Sequence, residues 1–147
     1  MKKVILFIAI CFSFFNQLSA QSQTSASNLY KGTFDGKTPV TFYIKTQENQ
    51  CTADLDYIAI YRYKSNKWIY LNVTQNRKVE NEFIMVEHGF SGVLMLKKIG
   101  NTFSGLWISP DTKKQLKIEI KETSMTKKEI ENYEQTLERV SFENNDC

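Results

Sequence analysis

The sequence predicts an all-β domain, an eight-stranded antiparallel up-and-down meander that closes into a barrel, followed by one C-terminal α-helix. Three observations support this fold class. Apolar and polar residues alternate with period two from Leu29 to about residue 121, a pattern typical of antiparallel strands with one buried face. Turn-forming residues interrupt the alternation at short intervals. No helix-length segment separates the strands, so parallel crossover connections are excluded.

The first two strands form a predicted hairpin. Tyr30 and Phe34 alternate with polar residues, and Asp35-Gly36 is a strong signal for a tight turn. After the turn, alternation resumes over residues 40–45. We therefore expect the first strand to begin at Leu29 and to pair with the second.

The third and fourth strands, residues 56–63 and 68–74, flank a predicted turn at residues 64–67. We expect Tyr61 to lie opposite Tyr70 and Tyr63 opposite Trp68, which separates aromatic from aliphatic side chains. The aromatic face would carry Tyr57, Tyr61, Tyr63, Trp68 and Tyr70. The aliphatic face would carry Ile58, Ile60, Ile69, Leu71 and Val73. A slip of one residue in the pairing would mix the two sets.

The remaining strands follow at similar spacing. They are predicted at Glu82–Glu87, Phe90–Lys98, Thr102–Ser109 and Gln115–Lys121, with turns at Gly100-Asn101 and Pro110-Asp111. Closing such a meander into a barrel removes its exposed edges. A sandwich of two sheets is the alternative closure.

The C-terminal segment changes to helical periodicity. Ile130, Tyr133, Leu137 and Val140 recur on one face. Thr126 and Glu129 form a capping box, and Met125 with Ile130 a hydrophobic staple. The pattern predicts a helix over about residues 127–140, packed against the outside or one mouth of the barrel.

The N-terminus predicts export. Lys2 and Lys3 precede the apolar run 4–15, and small residues lead to a cleavage site near Ala20, as in a secretory signal peptide. The apolar run is too short for a transmembrane span, which needs about 20 residues, so we expect no membrane span in the mature form. Residues 21–28 are predicted to be flexible, 29–122 to form the barrel, and 123–147 to form the helix and tail. The protein would be periplasmic or secreted.

Charge and cysteine content follow from this cleavage. Without Lys2 and Lys3 the formal net charge falls from +3 to about +1, and no basic patch indicates nucleic acid as a partner. Of the three cysteines, Cys51 and Cys147 would remain. An even number in an oxidising compartment favours a disulfide between them, and a free or intermolecular thiol at Cys147 is the alternative.

One resemblance bears on the fold. Residues 30–41, YKGTFDGKTPVT, are similar to the opening hairpin of small, mostly uncharacterised exported proteins of Gram-negative bacteria. Their later strands are matched by Tyr61 and Tyr63, Ile69-Tyr70-Leu71, Glu87 and the late Gly105-Leu106-Trp107, whereas Asn72 departs from their usual Gly. The resemblance spans residues 30–120. It implies a lipocalin-like or avidin-like meander and no particular activity.

The sequence offers weak candidates for catalysis. His88 is the only histidine, too few for a zinc or iron site of the usual ligand number, and a solvated turn residue is the favoured interpretation. Asp54, Asp56 and Glu87 could supply a carboxylate pair, but such a pair must face across a cleft. We therefore expect no enzyme activity, no cofactor and no metal.

The aromatic residues are the stronger candidates for binding. The predicted aromatic face, and Trp107 with Gly105 and Phe103, could stack on a flat ligand, although aromatic pairs also stabilise sheets on their own. The leading hypothesis is a non-enzymatic binding protein for a small apolar or saccharide ligand or a protein partner. The alternative is a protein-interaction module such as a periplasmic inhibitor or immunity protein. An interior cavity with converging polar groups would favour the small-ligand hypothesis, and a barrel filled by its own side chains would oppose it.

Overall fold

The structure, a computed structural model, describes residues 25–49, 51–52, 54–64 and 67–145. The predicted signal peptide, residues 1–20, lies outside the described residues. The chain forms eight strands and a helix, with these bounds: β1 Ser25–Phe34, β2 Thr38–Glu48, β3 Leu55–Tyr63, β4 Ile69–Gln75, β5 Glu82–Glu87, β6 Val93–Ile99, β7 Thr102–Ile108, β8 Gln115–Thr123 and α1 Lys127–Asn145.

The predicted fold class is confirmed. Each strand pairs antiparallel with the next, and β1 also pairs with β8, so the sheet closes into an eight-stranded up-and-down barrel. In the β1–β2 turn, Asp35 and Gly36 have φ of 48° and 66°, the left-handed geometry that tight hairpins need. Barrel closure rather than a sandwich leaves β1 and β8 with partners on both sides.

Two strand starts differ from the prediction by three or more residues, and α1 ends at Asn145 rather than at about residue 140. The strand β1 begins at Ser25, and Ser25 to Asn28 pair with β2, so this part of the segment predicted to be flexible is ordered sheet. The long β2 offers a partner for these residues, a contact that local composition does not reveal. The strand predicted at Phe90 begins only at Val93, because His88–Phe90 form a 3-10 turn in which Gly89 and Phe90 have positive φ.

The predicted pairing of β3 with β4 is wrong by one residue. Tyr61 lies opposite Ile69, and Ile60 lies opposite Tyr70. The shift exchanges the two faces of β4 relative to β3. The inner face therefore carries Tyr61 with Leu71, and the outer face carries Ile60 with Tyr70.

The barrel interior is the main core. Inward side chains of all eight strands form one cluster, and their alternation is regular along each strand. Gly32 and Gly105 occupy inward positions where a Cβ would overlap the backbone carbonyl oxygens of Glu119 and Met95, respectively. These glycines allow neighbouring strands to approach closely at bends of the barrel wall.

A second, smaller core lies between the outside of the barrel and α1. Leu137 and Val140 of the helix are buried against Leu29, Tyr43 and Ile60. The ring of Tyr133 stacks on Tyr43 with 5.2 Å between centroids and meets Trp68 edge-on. Of the predicted helix stripe, Ile130 stays 36% exposed, so the helix docks mainly through its middle, residues 133–140.

Polar contacts fix the orientation of α1 on the barrel. Glu134 accepts hydrogen bonds from Ser27 Oγ at 2.7 Å and Tyr43 Oη at 2.5 Å, and pairs with Lys45 Nζ at 2.6 Å. These three donors lie on the outer faces of β1 and β2. Burial opposes ionisation of Glu134, but the three donors outweigh it and lower its pKa below the ordinary value.

The start of α1 is capped as predicted. The backbone N–H of Thr126 donates to the Glu129 carboxylate at 2.8 Å, and the Glu129 N–H donates to Thr126 Oγ1 at 3.3 Å. This reciprocal capping box satisfies backbone groups that the first helical turn would leave free. Within the described residues, no helix combines the length and apolarity needed to cross a membrane.

Candidate functional site

The middle of the barrel is filled by its own side chains. Phe42, Leu71, Met85 and Leu94 are fully buried there. This packed layer rules out a cavity running the length of the barrel, which opposes the small-ligand hypothesis in the form that expected a continuous interior cavity. It leaves one concavity at each end.

The larger concavity, which we call the cup, opens at the end where β1 begins. Its volume is about 570 Å³. Residues of seven strands, β1 to β7, line its walls. The aromatic ones are Tyr30, Tyr57, Phe83 and Phe103, the aliphatic ones include Ile44 and Met85, and the polar ones include Asn28, Thr46, Gln75 and Lys98.

The rings of the cup support one another edge-on. Phe103 meets Tyr30 with 5.0 Å between centroids and Phe83 with 5.4 Å, and Tyr57 meets Phe83 at 5.3 Å. Interplanar angles of 75° to 81° are the favoured edge-to-face arrangement. Edge contacts hold the rings in fixed positions, so the cup has a preformed aromatic wall.

Lys98 brings a positive charge to this wall. It occupies the last inward position of β6, after Leu94 and Leu96. Its Nζ lies 5.6 Å from the ring centroid of Phe103 and 6.0 Å from that of Tyr30. Among the described residues, no carboxylate oxygen lies within 4.0 Å of this amine. Lys98 is therefore a half-buried cation held over two rings.

Tyr30 remains a neutral hydroxyl. Burial, with a smaller contribution from the charge of Glu122, raises its pKa to about 12, because both disfavour the phenolate. Glu122 is occupied by Asn28, whose amide Nδ2 donates to it at 2.8 Å. The cup therefore has the Lys98 amine over its rings and the carboxylate of Glu122 beside Tyr30.

A second concavity lies beside the cup, where the pairing of β3 with β4 is short. Hydrogen-bonded pairing of β3 with β4 covers only Ile58–Tyr61 and Ile69–Asn72. Residues 55–57 and 73–75 continue as strands on either side of a cleft of about 930 Å³. Leu55, Tyr57 and Gln75 line both this β3–β4 cleft and the cup, so the two concavities adjoin each other.

The opposite end of the barrel contains a buried carboxylate. Glu87 is only 2% exposed. It accepts hydrogen bonds from the hydroxyl of Tyr61, from Trp107 Nε1 at 2.6 Å and from Ser91 Oγ at 2.5 Å. A Cβ on Gly92 would overlap the Trp107 indole nitrogen, so this glycine makes room for the network.

The network holds nearby tyrosines in their neutral form. Burial, followed by the hydrogen bond to Glu87, raises the pKa of Tyr61, and burial and the Glu87 charge raise that of Tyr63. The concavity above them has a volume of about 150 Å³, with Lys37, Lys64 and Lys114 among its lining residues. With three donors, Glu87 is satisfied as a structural group that joins β3, β5 and β7.

The predicted binding residues do not form one surface. Tyr57 lines the cup, whereas Tyr61, Tyr63 and Trp107 point into the barrel near its other end. Trp68 and Tyr70 lie outside, in the core under α1. The predicted aromatic face is therefore wrong, because the one-residue register shift and the helix distribute its members over three environments.

The predicted acid–base candidates are also separated. His88 is exposed in the β5–β6 turn, whereas Asp54 precedes β3 at the other end of the barrel. Asp56 accepts a hydrogen bond from Asn49 Nδ2 at 2.9 Å, and Glu87 faces the barrel interior. No three His, Cys, Asp or Glu residues are grouped as metal ligands within the part of the chain that the structure describes.

The cup residues that the sequence analysis missed carried a readable signal. Tyr30 and Phe83 occupy inward positions of their strands, as does Phe103, which was already a candidate together with Trp107. Lys98 lies on the same inward side of β6 as Leu94 and Leu96. A lysine on the apolar side of a strand end indicates a charged group at a barrel mouth. Which strand ends share a mouth follows from the closed meander itself.

Only one of the two cysteines of the predicted disulfide lies among the described residues. Cys51 is exposed in the β2–β3 loop, while Cys147 lies outside the described residues. The bridge between them stays a prediction.

Comparisons with known proteins add no relatives. No protein-family model matches the chain, and neither the curated proteins nor the solved structures contain a match. The resemblance to exported bacterial meander proteins therefore stays a prediction. Fold and site together define a closed eight-stranded meander barrel with a packed middle and a ligand-sized cup at one end.

Proposed function

We propose that the protein is an exported, non-enzymatic binding protein that holds a small, largely apolar ligand in the cup. The observation that carries this proposal is the cup itself. Its volume of about 570 Å³ lies within the range of small-molecule sites, which is about 300–1,000 Å³. The N-terminal pattern of basic, apolar and small residues supports export.

The lining chemistry favours a ligand with a flat apolar part. Tyr30, Tyr57, Phe83 and Phe103 offer ring faces and edges, which contact apolar surface well and fix its orientation. Asn28, Thr46 and Gln75 supply a few polar groups around these rings. Many apolar contacts with few polar ones are typical of sites for small apolar molecules.

The packed middle of the barrel limits where the ligand sits. Met85 and Leu94 belong to the packed layer below the cup, so the ligand binds inside the barrel near its mouth. The β3–β4 cleft adjoins this site. A packed middle with an open end thus supports a shallow site rather than a deep one.

The exposed aromatic surface on which the protein-interaction alternative depended is not present among the described residues. That hypothesis required an exposed aromatic patch containing Tyr61 and Trp68. Tyr61 is fully buried inside the barrel, and Trp68 packs against Tyr133 of α1. The small-ligand proposal is therefore the one that the geometry supports best.

A cup-filling variant tests the proposal. N-phenyl-1-naphthylamine, a neutral probe that fluoresces in apolar sites, should bind the purified protein with one saturable site. Thr46→Trp places an indole inside the cup and should weaken this binding by about tenfold or more. Lys121→Trp adds the same side chain to the outer face of β8 and should leave the affinity unchanged.

The result has two informative alternatives. Equal loss in both variants would indicate a general effect of the added indole, and absence of saturable binding to the unmodified protein would contradict the cup as a ligand site. Circular dichroism of both variants checks that the barrel is intact.

A further inference from the structure

We propose that the ligand of the cup is an anion, an apolar or aromatic body bearing one carboxylate, sulfonate or phosphate group that pairs with Lys98. This inference rests on the proposed function and adds the charge of the ligand to it. It is carried by the position of the Lys98 amine inside the aromatic wall.

The first argument is the state of the amine. Lys98 is partly buried, and its Nζ has the faces of Phe103 and Tyr30 at 5.6 and 6.0 Å rather than a carboxylate. Removing part of the water from an ammonium group costs free energy that two ring faces offset only in part. An anionic ligand group would complete the pairing.

The second argument is the charge around the site. Glu80 also lines the cup, but it lies exposed in the loop before β5, where water and salt screen it. Glu122, next to Tyr30, already accepts from Asn28. Both carboxylates are exposed, whereas Lys98 is half-buried with its amine over the rings of Phe103 and Tyr30.

The third argument is geometric. The amine extends from the end of β6 over the same rings, Tyr30 and Phe103, that form the apolar wall. A ligand that places its flat part against these rings therefore brings a substituent within reach of Lys98. The Lys98 backbone is fixed by its N–H bond to the carbonyl of Asn81 at 2.7 Å, so the amine is held at the cup rather than in a free loop.

The experiment compares two probes of similar shape and different charge. 8-Anilino-1-naphthalenesulfonate carries one negative charge, and N-phenyl-1-naphthylamine carries none. Lys98→Met keeps most of the side-chain length and removes the charge. We expect it to raise the Kd of the anionic probe by about tenfold, the scale of a charge-assisted hydrogen bond, and to change the Kd of the neutral probe by less than about twofold.

Lys97→Met is the matched control. Lys97 directly precedes Lys98 and points outward. It lines a shallow apolar region between Ile84, Met95 and Leu106 on the outside of the barrel. It should leave both affinities unchanged. If Lys97→Met weakens the anionic probe and Lys98→Met does not, the probe binds outside the barrel and the inference is wrong.

Two further measurements keep the inference testable if Lys98→Met folds poorly. Lys98→Arg retains the charge and should retain the anionic probe. In the unmodified protein, raising NaCl should weaken the anionic probe and spare the neutral one.

The failures of the two proposals are distinguishable. Saturable binding of the neutral probe without an effect of Lys98→Met on the anionic probe overturns the anion inference and leaves the cup as a ligand site. Absence of saturable binding for both probes overturns both.

Discussion

Glu87 shows how one buried carboxylate organises an end of the barrel. Its acceptor oxygens take hydrogen bonds from Tyr61 on β3, Trp107 on β7 and Ser91 in the β5–β6 turn. A buried charge is tolerated in a core only when it is fully hydrogen-bonded. The strands β3, β5 and β7, which do not pair with one another, are thus linked through one side chain.

Replacing this carboxylate should destabilise the protein according to how many donors lose their acceptor. Glu87→Leu leaves the Tyr61 hydroxyl and the Trp107 N–H without a partner, and we expect a loss of about 3 kcal/mol in the free energy of unfolding. Glu87→Gln retains one carbonyl oxygen for both donors and should lose about 1 kcal/mol. Urea titration followed by circular dichroism measures both.

The comparison has a built-in control. Glu82→Gln changes a half-buried, outward glutamate of the same strand whose side-chain hydrogen bond, from Asn76 Nδ2, a glutamine carbonyl can still accept, and its effect should stay within about 0.5 kcal/mol. A Glu87→Leu variant as stable as the unmodified protein would show that the network does not hold the barrel together.

At the scale of one element, α1 is attached to the barrel by an apolar stripe and by the Glu134 cluster. The carboxylate contacts Ser27, Tyr43 and Lys45, which belong to two strands. The three donors lower the pKa of Glu134. The helix position therefore depends on the ionised form of this residue.

This dependence predicts a pH window for stability. The pKa of Glu134 is lower in the folded state than the unfolded value of about 4.3, so its contribution is complete above that value and disappears as pH falls through the lower folded pKa. Glu134→Gln should be less stable than the unmodified protein at pH 7 by about 1 kcal/mol. The difference should shrink below about pH 4.

Chemical denaturation at pH 7, 5, 4 and 3 measures this difference. Glu138→Gln, an exposed change on the same helix, should show no such convergence. A Glu134→Gln deficit that is the same at pH 3 as at pH 7 would mean that the helix is held without its charge.

The β3–β4 hairpin shows which part of the fold the sequence does and does not determine. Periodicity located both strands within one or two residues, because alternation is a local property. The register depended on which face of β4 is inward, and both faces are apolar, since α1 covers Ile60 and Tyr70 from outside while Leu71 faces the core. The predicted pairing placed aromatic side chains on one face and aliphatic side chains on the other, because the sequence does not show that α1 covers the outer face. That assumption gave the wrong register.

The same reasoning explains the cup. Tyr30, Tyr57 and Phe103 were recognisable as members of alternating strands, yet they are more than twenty residues apart in the chain. They meet only because the meander closes, with β1 beside β8. Sequence patterns therefore predicted the wall of the barrel better than the contents of its ends.

At the scale of the whole molecule, the closed sheet has one weak section. β1 and β2 are paired from Ser25 to Phe34, whereas β3 and β4 are paired only from Ile58 to Tyr61. Strand edges at 55–57 and 73–75 face the cleft beside the cup. Backbone groups that lack a neighbouring strand lose protection first when a sheet opens.

Hydrogen exchange should reveal this section as the most dynamic part of the barrel. We expect the cleft-facing amides of residues 55–57 and 73–75 to exchange by local opening, while inward-packed sections of β1 and β2 exchange only with global unfolding. Nuclear magnetic resonance of the protein in D₂O resolves these amides individually. Since Tyr57 and Gln75 belong to both cleft and cup, a ligand in the cup should slow exchange at 55–57 and 73–75 more than at the β1–β2 turn. Uniform protection around the barrel would show that the β3–β4 section is as firmly closed as the rest. If the neutral naphthylamine probe leaves that protection uniform, ligands reach the cup only through its mouth.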